Sequence, residues 1–217
     1  MAKTPAQRAA KHGQAATPAS TPAVNTSTQR SPQKAEGNAN LLLIAGSVAT
    51  LFLFWYFHLL TLNQMADLSG GLAMPDSMVF GFDMAHIEGL RAAMDSDALG
   101  QLQFVHKTAG TLFPLVFGLC AMTLIAMNVA KKSVRWVLWS FPLLFAVVQL
   151  WANVAIDNML GAQTLEPSAV SLTSVLVMAS WFLLVLSLAG IGAALFLGRK
   201  PRASAVPDQG AGTAVQE

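Results

Sequence analysis

Disulfides are excluded at once, because the chain holds a single cysteine, Cys120. Whatever shape its polar connections take must come from packing and hydrogen bonding, and Cys120 itself reads as a small buried hydrophobe. Charge is also scarce, at 11% of residues against 54% hydrophobic, a balance that soluble domains rarely combine. Hydrolytic and nucleotide chemistry lack their usual groupings. There is no His-Glu-x-x-His, no Gly-x-Ser-x-Gly, no phosphate loop and no Cys/His metal spacing. The reading from residues is therefore not an enzyme. Nor do basic tails without a fold to present them argue for nucleic acid as a partner.

What the sequence does have is long apolar runs. About 20 apolar residues are needed to cross the ~30 Å hydrocarbon layer, and runs of that order occur four times. They cover residues 41–62, 108–130, 134–156 and 170–197. The expected fold is all-α, with four transmembrane helices in a domain spanning 41–198.

The few charges are asymmetrically placed. Lys3, Arg8, Lys11, Arg30 and Lys34 precede the first run, Lys131, Lys132 and Arg135 fill the second connection, and Arg199, Lys200 and Arg202 follow the fourth. Asp67, Asp76, Asp83, Glu88, Asp95 and Asp97 lie between runs one and two, and Asp157 and Glu166 between three and four. The positive-inside rule then places both termini in the cytoplasm of a multi-pass plasma (inner) membrane protein. Residues 1–40 and 199–217, rich in small and polar residues, read as disordered tails. The first tail lacks the early apolar region of a cleavable secretory signal, though its basic, Ser-rich composition leaves an organellar transit peptide open. Its bases suit an anionic inner leaflet as well as plain solvation.

Between runs one and two, residues 63–103 form the one sizeable exterior segment. Gly70, Gly71 and Pro75 mark turns. Asp83 reads as the N-cap of a short amphipathic helix, with Met84, Ile87, Leu90 and Met94 at helical spacing. That helix is expected on the membrane surface or capping the bundle. Ser96 or Asp97 reads as the cap of the second long helix, which would enter the bilayer near Thr108. Pro114 and Pro142 fall inside helices two and three, where each removes a backbone bond. The brief link between those helices makes them antiparallel neighbours. Ala189, Gly190, Gly192, Ala193 and Ala194 on helix four favour close backbone approach.

Polar residues near the membrane are costly and therefore informative. Gln149, Asn153 and Asp157 recur every fourth residue and share one face of helix three, while Lys107 and Thr111 share a face of helix two. Lipid-facing amides would lack partners, so these faces are expected to meet inside the bundle. With His58 and His106 they form an outer-leaflet cluster in which Asp157 is the counter-charge expected for Lys107. Two further readings stay open: a Lys107 that only snorkels while His106 meets water, or a ligand or proton site. A haem held by His58 and His106 needs both to face one cavity at matched depth. Bundle cytochromes place their histidines deeper, so no cofactor is expected. Met65, Met74, Met78, Met84, Met94 and Met159 suit copper(I) by softness, but irregular spacing makes packing the better reading, and no metal is assigned.

From Phe80-Gly81-Phe82 through Asn158, the chain resembles a group of bacterial four-helix integral membrane proteins of uncharacterised function. Phe113-Pro114 and Asp157-Asn158 carry the likeness. Gly110 and Val154 stand where that group has acids. The resemblance implies the topology and no reaction. The function expected is a non-enzymatic accessory, assembly or interaction subunit of a larger membrane complex, respiratory or transport, whose partners are the bilayer and other membrane subunits. The alternative is a small transport or redox protein using the outer cluster.

Overall fold

The computed structural model describes residues 32–198, with side chains from Asn40 onward. The chain divides at Asn40/Leu41 into two units, and the architecture below is that of the second. The expected tails at 1–31 and 199–217 lie outside the described residues. Helix α1, however, begins at Pro32, within the segment read as tail, and runs to Phe54. Proline at the first helical position followed by Gln, Lys, Ala and Glu favours helix.

Every regular element among the described residues is helical. After α1 comes a π-helical stretch, Trp55–Thr61, then α2 (Leu62–Leu68). A 3-10 turn at Pro75–Ser77 leads to α3 (Met84–Ala93), α4 (Ser96–Lys107) and α5 (Ala109–Asn128). Two long helices, α6 (Lys132–Gly161) and α7 (Pro167–Gly198), complete the chain. Four helical stretches are long and apolar enough to cross a membrane: Asn40–Leu68, Ser96–Asn128, Lys132–Gly161 and Pro167–Gly198. Each contains the corresponding apolar run of the sequence, apart from the last two residues of the second run, which lie beyond Asn128.

Helices α5, α6 and α7 pack mutually, with α6 against α7 the most extensive pair. The first stretch is peripheral. Only 6% of its apolar window is buried, against 28% to 39% for the others, so most of its Leu, Ile, Val and Phe side chains point outward. It docks mainly through the π-helical stretch, where Phe57 and Thr61 are buried. Gly46 also lets it approach α5, since a Cβ there would collide with the Cys120 sulfur.

The segment 69–107 covers one end of this bundle. Gly70 and Gly71, at φ +66° and +88°, turn the chain back from α2 in a conformation that costs glycine little. Asp83 caps α3 by accepting from the His86 N–H at 2.9 Å. Ile87 and Leu90 of α3 are fully buried, and Met84 and Met94 pack partly against the same core. The cap of α4 is Asp95, which accepts from the Ala98 N–H at 2.8 Å, one residue before the two positions expected. The second long helix is also interrupted: Thr108, at φ −106° and ψ −93°, separates α4 from α5. Beyond the capped end, the interior is apolar. Phe113, Phe117, Phe145 and Leu184 fill one layer, and Ile125, Val129 and Ala194 the next. Of the small residues on α7, Gly190 and Ala194 face inward, whereas Ala189, Gly192 and Ala193 are exposed.

Candidate functional site

The polar face of α6 is built around a backbone defect. Pro114 lies inside α5 and has no N–H, so the carbonyl four residues earlier, on Gly110, loses its helical donor. Asn153 supplies the replacement, donating through Nδ2 to the Gly110 carbonyl at 2.9 Å. Gln149 in turn donates through Nε2 to the Asn153 Oδ1 at 2.9 Å. Both amides are buried and each has a partner. A side chain at position 110 would close this gap, because a Cβ there would sit 2.9 Å from the Asn153 Nδ2 and 3.4 Å from the Phe57 ring.

One turn further along α6, Asp157 meets His106. The His106 Nδ1 lies 2.6 Å from the Asp157 Oδ1, and its Nε2 lies 3.1 Å from the Asp76 Oδ2. His106 and Asp76 are 2% and 3% exposed, so a carboxylate stands on each side of a buried imidazole. With both carboxylates ionised, both contacts are satisfied when each ring nitrogen donates, the hydrogen-bond pattern of an imidazolium. The partner expected for Asp157 is thereby corrected. Lys107 makes no ion pair with it, and its side chain is exposed at the rim. The reason is geometric, since consecutive helical residues point about 100° apart, and the face of α4 that meets α6 carries His106.

Asp76 was not among the residues singled out from the sequence. In LAMPDSM it reads as turn chemistry, and no local pattern shows that the turn folds back onto the bundle. Hydrogen bonds at Asp76 itself and further along the segment hold it there. The Trp181 Nε1 donates to the Asp76 carbonyl at 2.9 Å, and the Phe82 N–H donates to the Ser174 Oγ at 2.9 Å. Gly81, at φ +84°, allows that second approach, since a Cβ would fall 2.5 Å from the Ser174 Oγ. The His86 Nε2 is 2.9 Å from the Ala73 carbonyl, and Arg91 on α3 donates to the Ala162 carbonyl beyond α6.

His58 does not join the triad by hydrogen bonding. Its ring packs among Phe54, Phe57, Phe113 and Trp181, with centroids between 4.7 and 5.4 Å away. Its buried Nδ1 has no partner among the described residues, as is also true of the Asp76 Oδ1. Thr111 donates to the His106 carbonyl at 2.8 Å and so belongs to the helix break. With both nitrogens of His106 facing carboxylates, the ring has no free nitrogen for iron. Met65, Met74 and Met159 are core residues at 4% exposure or less.

A cavity of about 340 Å³ opens beside the triad between α4–α5 and α6, lined by Gln103, His106, Lys107, Thr111, Asn153, Asp157 and Asn158, with Leu150 and Val154. The structure thus gathers His106, Lys107, Thr111, Asn153 and Asp157 around one space, leaves Gln149 behind Asn153, and seats His58 in the aromatic core. No family model matches this chain, and no curated protein or solved structure matches it.

Proposed function

We propose that this is a non-enzymatic integral membrane protein of the plasma membrane, with both termini cytoplasmic. In this reading it serves as an accessory or assembly subunit of a larger membrane complex. Its contact surface is the exterior segment between the first and second spans, including the amphipathic helix α3.

The observation that carries the reading is the fastening of that segment. Asp76 is tied through His106 to Asp157, joining the turn, α4 and α6 at one buried point. A surface held in place before binding loses little conformational entropy when a partner arrives. On its rim Val79 and Phe80 are exposed, Phe80 by 96%, beside the immobilised Gly81–Phe82. Apolar aromatic side chains are enriched at such contacts.

The chemistry available to the triad also favours a positioning role. A general base must reach a proton on its substrate, and His106 has both nitrogens committed. The small-transporter reading is weakened by the layers beneath. A solute or ion crossing this chain alone would meet Phe113, Phe117, Phe145 and Leu184, while the buried Ser180 and Ser187 hydroxyls beside them donate to carbonyls of their own helix. The redox alternative would require a haem-type absorbance spectrum in the purified protein.

The test is a photoreactive phenylalanine analogue at Phe80 in native membranes, with Leu51 on the exposed face of α1 as control. The expected result is one discrete protein adduct at Phe80, the same protein that co-purifies in mild detergent, and lipid adducts at Leu51. Lipid adducts alone at Phe80, from a chain that purifies alone, would overturn the reading.

A further inference from the structure

The cavity beside Asp157 is more than a packing defect. Its walls carry opposite charges that do not neutralise each other: Asp157 and Lys107 both line it, yet they form no ion pair. Only the Asp157 Oδ1 is engaged by His106, and the second carboxylate oxygen has no protein partner among the described residues. Two carboxyl groups and one imidazole sharing two protons leave the Asp76–His106–Asp157 triad with a net negative charge, and Asp157 presents it to the cavity, while Lys107 supplies a positive charge. Uncharged donors and acceptors, Gln103, Thr111 and Asn158, line the same space.

Depth identifies the occupant. Asn128 at the end of α5 touches Gly198 at the end of α7, which marks one level at the uncapped end of the bundle. From there, about 20 residues at ~1.5 Å each cover the hydrocarbon, reaching Ala109 on α5. Counting from Lys132 reaches about Ala152 on α6. Lys107 therefore falls about 3 Å beyond and Asp157 about 7 Å beyond, in the headgroup layer. Val154, on the same wall, is 57% exposed and gives an apolar path from the cavity toward the acyl chains.

We propose that this cavity is a phospholipid headgroup site for a primary amine joined to a phosphate, as in phosphatidylethanolamine. The ammonium sits against Asp157 and the phosphate against Lys107, with the acyl chains leaving past Val154. The charge complementarity is directional. A trimethylated amine has no N–H for the carboxylate, and a glycerol headgroup has no cation. The inference relies on the four-span arrangement and not on the protein having a larger partner.

The full chain would be exchanged into nanodiscs of mixed lipid, and the lipids retained after gentle extraction counted by native mass spectrometry. Phosphatidylethanolamine should be retained about tenfold over phosphatidylcholine or phosphatidylglycerol, the factor expected for one hydrogen bond to a charged group. Lys107→Gln, which removes the partner of a phosphate that all three lipids share, should lower retention of every one of them by a similar factor, and Val154→Trp, which obstructs the path, should abolish retention. Both positions are exposed, and an unchanged thermal midpoint will show that the variants fold. Equal retention of all three lipids by the native chain, or retention untouched by both variants, overturns the proposal. Soluble phosphoethanolamine binding the delipidated protein as tightly as the lipid would also overturn it, by showing a free amine-phosphate to be the ligand. Loss of a protein adduct at Phe80 would leave these outcomes unaffected, so the two readings fail separately.

Discussion

The side-chain amide of Asn153 on α6 occupies the place of a backbone N–H on α5, donating at 2.9 Å to the Gly110 carbonyl that Pro114 leaves without its helical partner. The two residues are coupled through a bond that neither makes with the other. In a Pro114→Ala background the backbone donor returns, and Asn153→Leu should then cost less, the remaining loss coming from the buried Gln149 amide that donates to Asn153. In the native background the same change strands a buried carbonyl, costing about 1–3 kcal/mol. A denaturation double-mutant cycle checks this. Equal losses in both backgrounds would show that the proline and the amide are independent.

That relationship also shows what the sequence could convey. The period-four ladder Gln149–Asn153–Asp157 marks a polar face, and the apolar runs mark the spans, because both are local patterns. Why Asn153 is needed was also legible in principle, from Pro114 and the residue four before it. Asp76 was not, since its role depends on a turn 30 residues before His106 folding back onto the bundle. Lys107 was misassigned for a similar reason. Charge alone paired it with Asp157, whereas the rotational setting of α4 turns its neighbour inward. The interruption at Thr108 left no signal among the usual helix breakers, because threonine does not announce one.

His106 and His58 should respond oppositely to replacement by an aromatic ring. His106→Phe leaves Asp76 and Asp157 beside an apolar group, and removing one partner of a buried charged pair costs about 3–5 kcal/mol. His58→Phe removes a buried nitrogen that has no hydrogen bond and keeps the ring-on-ring packing. It should be neutral or raise stability by about 1 kcal/mol. Unfolding midpoints in detergent will separate the two. A large loss at His58 would mean that its ring makes a polar contact essential to the fold.

A second cycle tests the identity of the ion pair. Asp157→Asn and His106→Gln should couple, with the double variant losing less than the sum of the single losses. Asp157→Asn and Lys107→Met should add, because those side chains do not touch. Coupling in the second cycle with additivity in the first would restore Lys107 as the partner.

The orientation can be checked with one thiol. Cys120→Ala supplies a cysteine-free background, and Ala92→Cys places a thiol on an exposed position of α3. In intact cells a membrane-impermeant maleimide should label it fully. Protection until the cells are opened would place the segment on the cytoplasmic side and reverse the proposed topology.

Hydrogen–deuterium exchange on the purified protein, comparing native chain with His106→Gln, reads the central claim most directly: one buried histidine fastens the covering segment to the bundle. The account predicts faster exchange in residues 69–93 of the variant, with α5, α6 and α7 unchanged. Identical exchange in that segment, with and without the imidazole, would contradict it.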